Sequence, residues 1–156
     1  MSASDEPPLE TALAAHPFLR GLSPALLREI AGHTERREYG PDVTIAREGD
    51  PALEFFLITS GKVGLEMVAP DRPHLTILTL GTGEVFGWSW LTPSHRWRVD
   101  ARTLKPTQVL VVAGEALRRI LEEHPEDGYQ FLLRLVPILG QRLDATRLQV
   151  LDVHQL

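Results

Sequence analysis

The sequence contains no cysteine, which excludes disulfide scaffolds, thiolate zinc sites, iron–sulfur clusters and cysteine nucleophiles. Long apolar runs are also missing, and none approaches the roughly 20 residues a membrane-spanning helix needs. The stretch from Met1 to Glu10 has no basic segment followed by an apolar one, so no secretory signal is visible. Excess positive charge is absent as well. Sixteen Lys and Arg against 21 Asp and Glu leave −5 at pH 7, a balance that repels phosphodiester backbones. What is present is ordinary for a globular domain, with 43% hydrophobic and 24% charged residues. A chain of 156 residues is long enough to bury roughly 70% of its unfolded surface in one core. These bounds describe a cytoplasmic, single-domain protein without a membrane partner.

Residues 1–8 are Ser, Asp, Glu and Pro around little that can pack, and are expected to form a disordered tail. The domain is expected over residues 9–156. Leu9, Leu13 and Ala14 begin a helical pattern that breaks at His16-Pro17. Ser23-Pro24 opens a second helix, with Ser as N-cap and Pro at the first helical position. From about residue 36 to 113, Gly and Pro recur between short runs of strand character. The expected strands are Arg36–Tyr39, Val43–Arg47, Glu54–Thr59, Lys62–Val68, His74–Leu80, Glu84–Phe86, Trp97–Leu104 and Gln108–Ala113. Strands on these spacings predict a mainly β fold, an eight-stranded jelly-roll-like β-barrel with flanking helices.

The C-terminal part, about residues 115–153, reads as two helices. Glu115–Glu123 is amphipathic and stops where His124 precedes Pro125. In the longer helix that follows, Tyr129, Leu132, Val136, Leu139, Leu143, Thr146, Val150 and Val153 recur by threes and fours, the pattern of a coiled-coil seam. Pro137 is expected to kink this helix or mark a short joint. Leu133, Leu135, Ile138 and Leu148 read as a second apolar face, so one face is assigned to the roll and the other to a partner helix. The dimer interface is placed at Val136, Leu139, Leu143, Thr146 and Val150.

Several short motifs follow in order: Phe18-Leu19-x-Gly21-Leu22-Ser23, Ile45-x-x-Glu48-Gly49-Asp50, Phe56-Leu57-Ile58, Ser60-Gly61-x-Val63, Gly81-x-Gly83-Glu84-Val85-Phe86-Gly87 and Thr103-Leu104-Lys105-Pro106-Thr107. Together they resemble the cyclic-nucleotide-binding domain of the catabolite-activator-type (Crp/Fnr-like) regulators. The resemblance covers roughly residues 12–153. It implies a non-enzymatic sensing or regulatory domain, with cyclic AMP or cyclic GMP as possible ligand and a parallel homodimer through the long helix. It also implies a ligand site at Phe86, Gly87, Trp88, Ser89, Trp90, Arg96, Trp97, Arg98, Val99 and Thr146.

The sequence departs from the family at the phosphate-binding cassette. Where the family has Phe-Gly-Glu, with the Glu accepting from the ribose hydroxyl, this chain has Phe86-Gly87-Trp88. Counting back from Thr103 places Trp97 where the family has its phosphate-neutralising Arg, and Val99 at its small residue. Strand alternation puts Trp97, Val99, Ala101 and Thr103 on one face and Arg96, Arg98, Asp100 and Arg102 on the other. A bulge after Pro93 would instead turn Arg96 or Arg98 inward. Trp88, Trp90 and Trp97 then either fill the cavity as core, leaving a ligand-free interaction module, or form a stacking surface for a different ring. Thr146 falls where the family's long helix offers a hydroxyl to the base. As one polar seam position, it also fits a register-setting role.

Other signals fail. The glycines at 81, 83 and 87 miss the dinucleotide-binding spacing. The six histidines form no His-x-His or i, i+4 pair, so no metal or catalytic residue is expected. Glu122-Glu123, Glu126-Asp127 and Arg36-Arg37 read as solvated surface. The family's regulators carry a helix-turn-helix after the long helix. None follows Leu156 here, so direct DNA binding is not expected.

Overall fold

The computed structural model describes residues 6–69 and 72–154, with side chains described for 6–67 and 75–148. Helix α1 spans Leu9–Ala15 and ends at His16-Pro17; α2 spans Pro24–Ala31. Ser23 caps α2 as its sequence position requires. Its hydroxyl accepts from the Leu26 N–H at 3.3 Å and donates to Asp127 Oδ2 at 2.8 Å. Asp127 therefore is not free surface, because it ties the N-terminal hairpin to the C-terminal helix.

Eight strands are present among the described residues: β1 Thr34–Tyr39, β2 Thr44–Ala46, β3 Glu54–Ser60, β4 Lys62–Ala69, β5 Arg72–Gly81, β6 Val85–Phe86, β7 Asp100–Thr103 and β8 Thr107–Ala113. They form two four-stranded sheets, ordered β1-β8-β3-β6 and β2-β7-β4-β5, with every described pairing antiparallel. The fold is a jelly roll of two facing sheets rather than one closed barrel. The strand expected from Trp97 begins only at Asp100. Trp97 instead exchanges backbone hydrogen bonds with the 49–50 turn, its N–H donating to Asp50 O at 2.9 Å and its carbonyl accepting from Gly49 N–H at 2.8 Å. The regular ladder on β4 starts with the Glu66–Asp100 pair.

The first sheet is covered on both sides, which explains the near-continuous apolar runs Phe55–Ile58 and Val109–Val112. Phe55, Leu57, Val85, Leu110 and Val112 face the helices, while Phe56, Ile58, Phe86, Val109 and Val111 face the second sheet. Polar strand residues inside this fold are paired. The buried Glu66 carboxylate accepts from Arg102 Nε at 2.9 Å and Nη2 at 2.7 Å. Arg37, expected on a solvated edge, is half-buried and bonds Glu54 Oε1 at 2.9 Å.

Helix α3 spans Gly114–Glu123 and α4 spans Pro125–His154. No joint interrupts α4 at Pro137, which sits inside the helix on its exposed side. The carbonyl freed four residues earlier belongs to Leu133, which is also exposed, so water can satisfy it. The face laid on the roll is Phe131, Leu135, Ile138 and Arg142. The grouping of Leu133 and Leu148 with Leu135 and Ile138 is corrected. Leu133 and Leu148 are 48% and 63% exposed, because at 100° per residue the four do not share a side.

His16 is buried at the end of α1. Its Nδ1 accepts from the Phe18 N–H at 3.2 Å, and its Nε2 lies 3.0 Å from the Ile58 carbonyl. Both bonds are satisfied by the neutral ring protonated at Nε2, and burial holds its pKa below the ordinary 6.5. The unfolded chain therefore binds the extra proton more readily than the folded one. This contribution to stability is complete above pH 6.5 and is lost as pH falls below it. Denaturant unfolding between pH 7.5 and 5.5 should show wild type losing stability more steeply than His16→Gln; equal slopes would contradict this role.

Candidate functional site

The site is built around the passage from β6 into the following turn. Phe86 points into the roll, where its ring stacks on Phe56 at 4.7 Å with planes 5° apart. Trp97 joins the pair, 6.0 Å from Phe56 and 6.1 Å from Phe86. The chain then turns at Gly87, whose φ is +83°, and a Cβ there would lie 3.0 Å from both the Glu54 carbonyl and the Phe56 ring. Only glycine meets both demands. A short 3-10 turn follows, Ser89–Leu91.

Trp90 leaves the site from this turn. Its Nε1–H donates to the Gly87 carbonyl at 2.7 Å, and its ring is buried at 5.9 Å from Phe55. The opposing backbone is Gly114, where a Cβ would come within 2.6 Å of Trp90 Cγ. Trp90 is thus a core residue between the roll and the helices. It does not line the cavity described next, although the resemblance places it in the ligand site.

Beside Phe86, a cavity of about 200 Å³ lies between the second sheet and α4. Leu65, Leu78, Phe86, Trp97 and Val99 contribute apolar wall. Gly87, Trp88, Ser89 and Arg98 also line it, and α4 contributes Arg142 and Thr146. The alternation along Trp97–Thr103 holds: Trp97, Ala101 and Thr103 are buried, and Arg96 and Arg98 are exposed. Arg96, placed in the ligand site by the resemblance, donates to the Gly49 carbonyl at 2.8 Å and does not line the cavity. Arg98 reaches Ser94 Oγ at 3.3 Å. Arg98 is exposed yet lines the cavity, whereas Arg96 does not.

A second cation reaches the cavity from α4. Arg142 lies over the Trp88 ring, with Cζ 4.5 Å from its centroid, and its Nη2 donates to the Val85 carbonyl. Its Nη1 is buried without a hydrogen-bond partner among the described residues. Burial outweighs the attraction of Glu84 and lowers the guanidinium to about 10, still charged at neutral pH. Sequence reasoning missed this residue. The available signal was the spacing Phe131, Leu135, Ile138, Arg142, which places one cation at the end of an apolar helical face. Thr146 follows one turn later, and its hydroxyl donates to the Arg142 carbonyl at 2.8 Å.

On another side of α4, Tyr129, Leu132, Val136, Leu139 and Leu143 form an exposed stripe, with Val136 60% and Leu143 56% exposed. Thr146 lies between this stripe and the roll-facing side, and Val150 and Val153 lie outside the described side chains. Among the described residues, no three His, Asp or Glu are grouped to hold a metal. No described helix is long and apolar enough to cross a membrane.

The family model for the cyclic nucleotide-binding domain matches residues 36–124. A CRP-like cAMP-activated global transcriptional regulator of Mycobacterium tuberculosis is 25% identical over 146 residues, covering 93% of this chain and 63% of that protein. The chain therefore spans less than two thirds of that relative. A cyclic nucleotide-binding domain from Methylobacillus flagellatus superposes with a TM-score of 0.77 at 21% identity, covering 92% of this chain and 84% of that one. The Thermus thermophilus catabolite activator protein superposes with a TM-score of 0.68 at 26% identity, covering 89% and 63%. With the family model matching more than half its length and the roll, cassette turn and long helix in place, this chain belongs to the cyclic nucleotide-binding domain family.

Proposed function

We propose that this domain is a non-enzymatic sensor in which a small molecule bound between the roll and α4 acts on α4, and α4 pairs with a second copy. The observation that carries this reading is the double use of one helix. Arg142 and Thr146 face the cavity, while Val136, Leu139 and Leu143 stand exposed on a neighbouring side. The cAMP-activated relative from M. tuberculosis supports a sensing role. The net charge of −5 favours a protein partner over direct contact with DNA.

Cyclic AMP and cyclic GMP are the first candidate ligands, with weakened binding. Trp88 stands where the family's ribose carboxylate would be and Trp97 where its phosphate-neutralising Arg would be, while Arg96 bonds Gly49 and Arg98, at the cavity, bonds Ser94. Charge-assisted hydrogen bonds are worth roughly 1.5–3 kcal/mol each, so each loss costs about one to two decades in affinity. A second reading is favoured by the burial of Trp97 in the core cluster between the two sheets. In that reading the pocket is filled by tryptophan and the domain is a ligand-free dimerisation module.

Calorimetric titration with both nucleotides, with tryptophan fluorescence in parallel, tests the cassette. Binding weaker than micromolar is expected, and sub-micromolar affinity for either nucleotide would contradict it.

The dimer is expected to be parallel, through the exposed stripe of α4, because burying Leu and Val side chains gains about 25 cal/mol per Å². Sedimentation at tens of micromolar should give twice the protomer mass for wild type. Leu139→Asp combined with Leu143→Asp should give a single protomer, since like charges would meet across the two-fold axis. A monomeric wild type, or a dimer that survives the double substitution, would refute this interface.

A further inference from the structure

We infer that the cavity is built for a small apolar monocarboxylate, an aromatic ring or branched chain bearing one acid group, with the acid on Arg142 Nη1. The inference rests on the sensing reading above and names the ligand class for the same cavity.

Three observations converge. The first is the state of Arg142. One nitrogen is committed to the Val85 carbonyl and one face is covered by the Trp88 ring, while Nη1 is buried with no partner among the described residues. A buried, unsatisfied donor on a charged group is costly, and an anion is the partner that relieves it best. A guanidinium also matches the planar geometry of a carboxylate.

The second is what surrounds it. Leu65, Leu78, Phe86, Trp97 and Val99 give the rest of the ligand an apolar wall, and no Asp or Glu is among the lining residues. The other lining cation, Arg98, is exposed and bonded to Ser94 Oγ, so the buried unpartnered donor is that of Arg142. Glu84 attracts Arg142 from a distance, but its Oε2 accepts the Gly81 N–H at 2.6 Å. No carboxylate of the described chain therefore takes the Nη1 position.

The third is size. The cavity holds about 200 Å³, below the roughly 300 Å³ at which pockets for drug-sized ligands begin. That volume suits one ring with an acid group better than a base, a sugar and a phosphate together. Trp88 and Trp97, both lining the cavity, provide the optical signal.

The test titrates the full chain with benzoate and phenylacetate, each paired with its neutral amide, and with cyclic AMP and cyclic GMP. Calorimetry and tryptophan fluorescence are read together. At least one acid should bind saturably, with its amide roughly 10- to 100-fold weaker, the factor expected for a hydrogen bond to a charged group. Arg142→Met, shown folded by circular dichroism, should lose acid binding by a similar factor and so narrow the gap between each acid and its amide. An amide that binds as tightly as its acid, or an Arg142→Met that keeps full acid affinity, would overturn the inference. Binding of a cyclic nucleotide without either acid would overturn the inference alone and leave the sensing reading intact. Silence of every probe, nucleotides included, would overturn both.

Discussion

Arg142 sits with its guanidinium drawn out of water between the Trp88 ring and the Val85 carbonyl, and this contact joins the C-terminal helix to the roll. Below it, α4 is held by the apolar packing of Phe131, Leu135 and Ile138, together with hydrogen bonds from Ser23 to Asp127 and from Arg134 to the Phe18 carbonyl. Above it, the contact becomes polar, and the helix closes the cavity with Arg142 and Thr146. In the proposed sensing role, this upper segment is the part of α4 whose contacts a ligand would change.

The Arg142 contact depends on a sheet packed on both sides. The β3–β8 pair buries both of its faces, so Phe55 and Phe56, adjacent in sequence, anchor two different cores. The same division runs through Val85 and Phe86. Val85 faces the helices and offers its carbonyl to Arg142, while Phe86 forms cavity wall. Gly87 follows with the positive φ and tight clearance that only glycine accepts. Three consecutive residues thus connect helix layer, central sheet and cavity, and a shift at one cannot be absorbed without moving the others.

Much of this was legible in the sequence wherever a local rule decided the outcome. Ser23-Pro24 announced a capped helix, and Gly and Pro punctuation located the eight strands of the roll to within a few residues. The alternation from Trp97 to Thr103 gave the correct buried face even though the first three residues belong to no regular strand. What stayed hidden depended on contacts distant in sequence. Trp90 looked like part of the site because it neighbours Trp88, but Gly114 opens a space that draws its ring into the core. Leu133 and Leu148 looked like core because they are apolar, but the helical repeat turns them to water. Arg142 carried no motif, and its role arises only because α4 returns over the roll some 54 residues after Trp88, a separation no local pattern reports.

Amide hydrogen exchange along α4, compared between wild type and Trp88→Ala, tests most directly whether the Trp88–Arg142 contact fastens the upper helix. Exchange should accelerate around Leu139–Thr146, while the segment held by Phe131 and Leu135 keeps its protection. Unchanged exchange in both segments, or equal acceleration along the whole helix, would show that α4 is not attached to the roll through this contact.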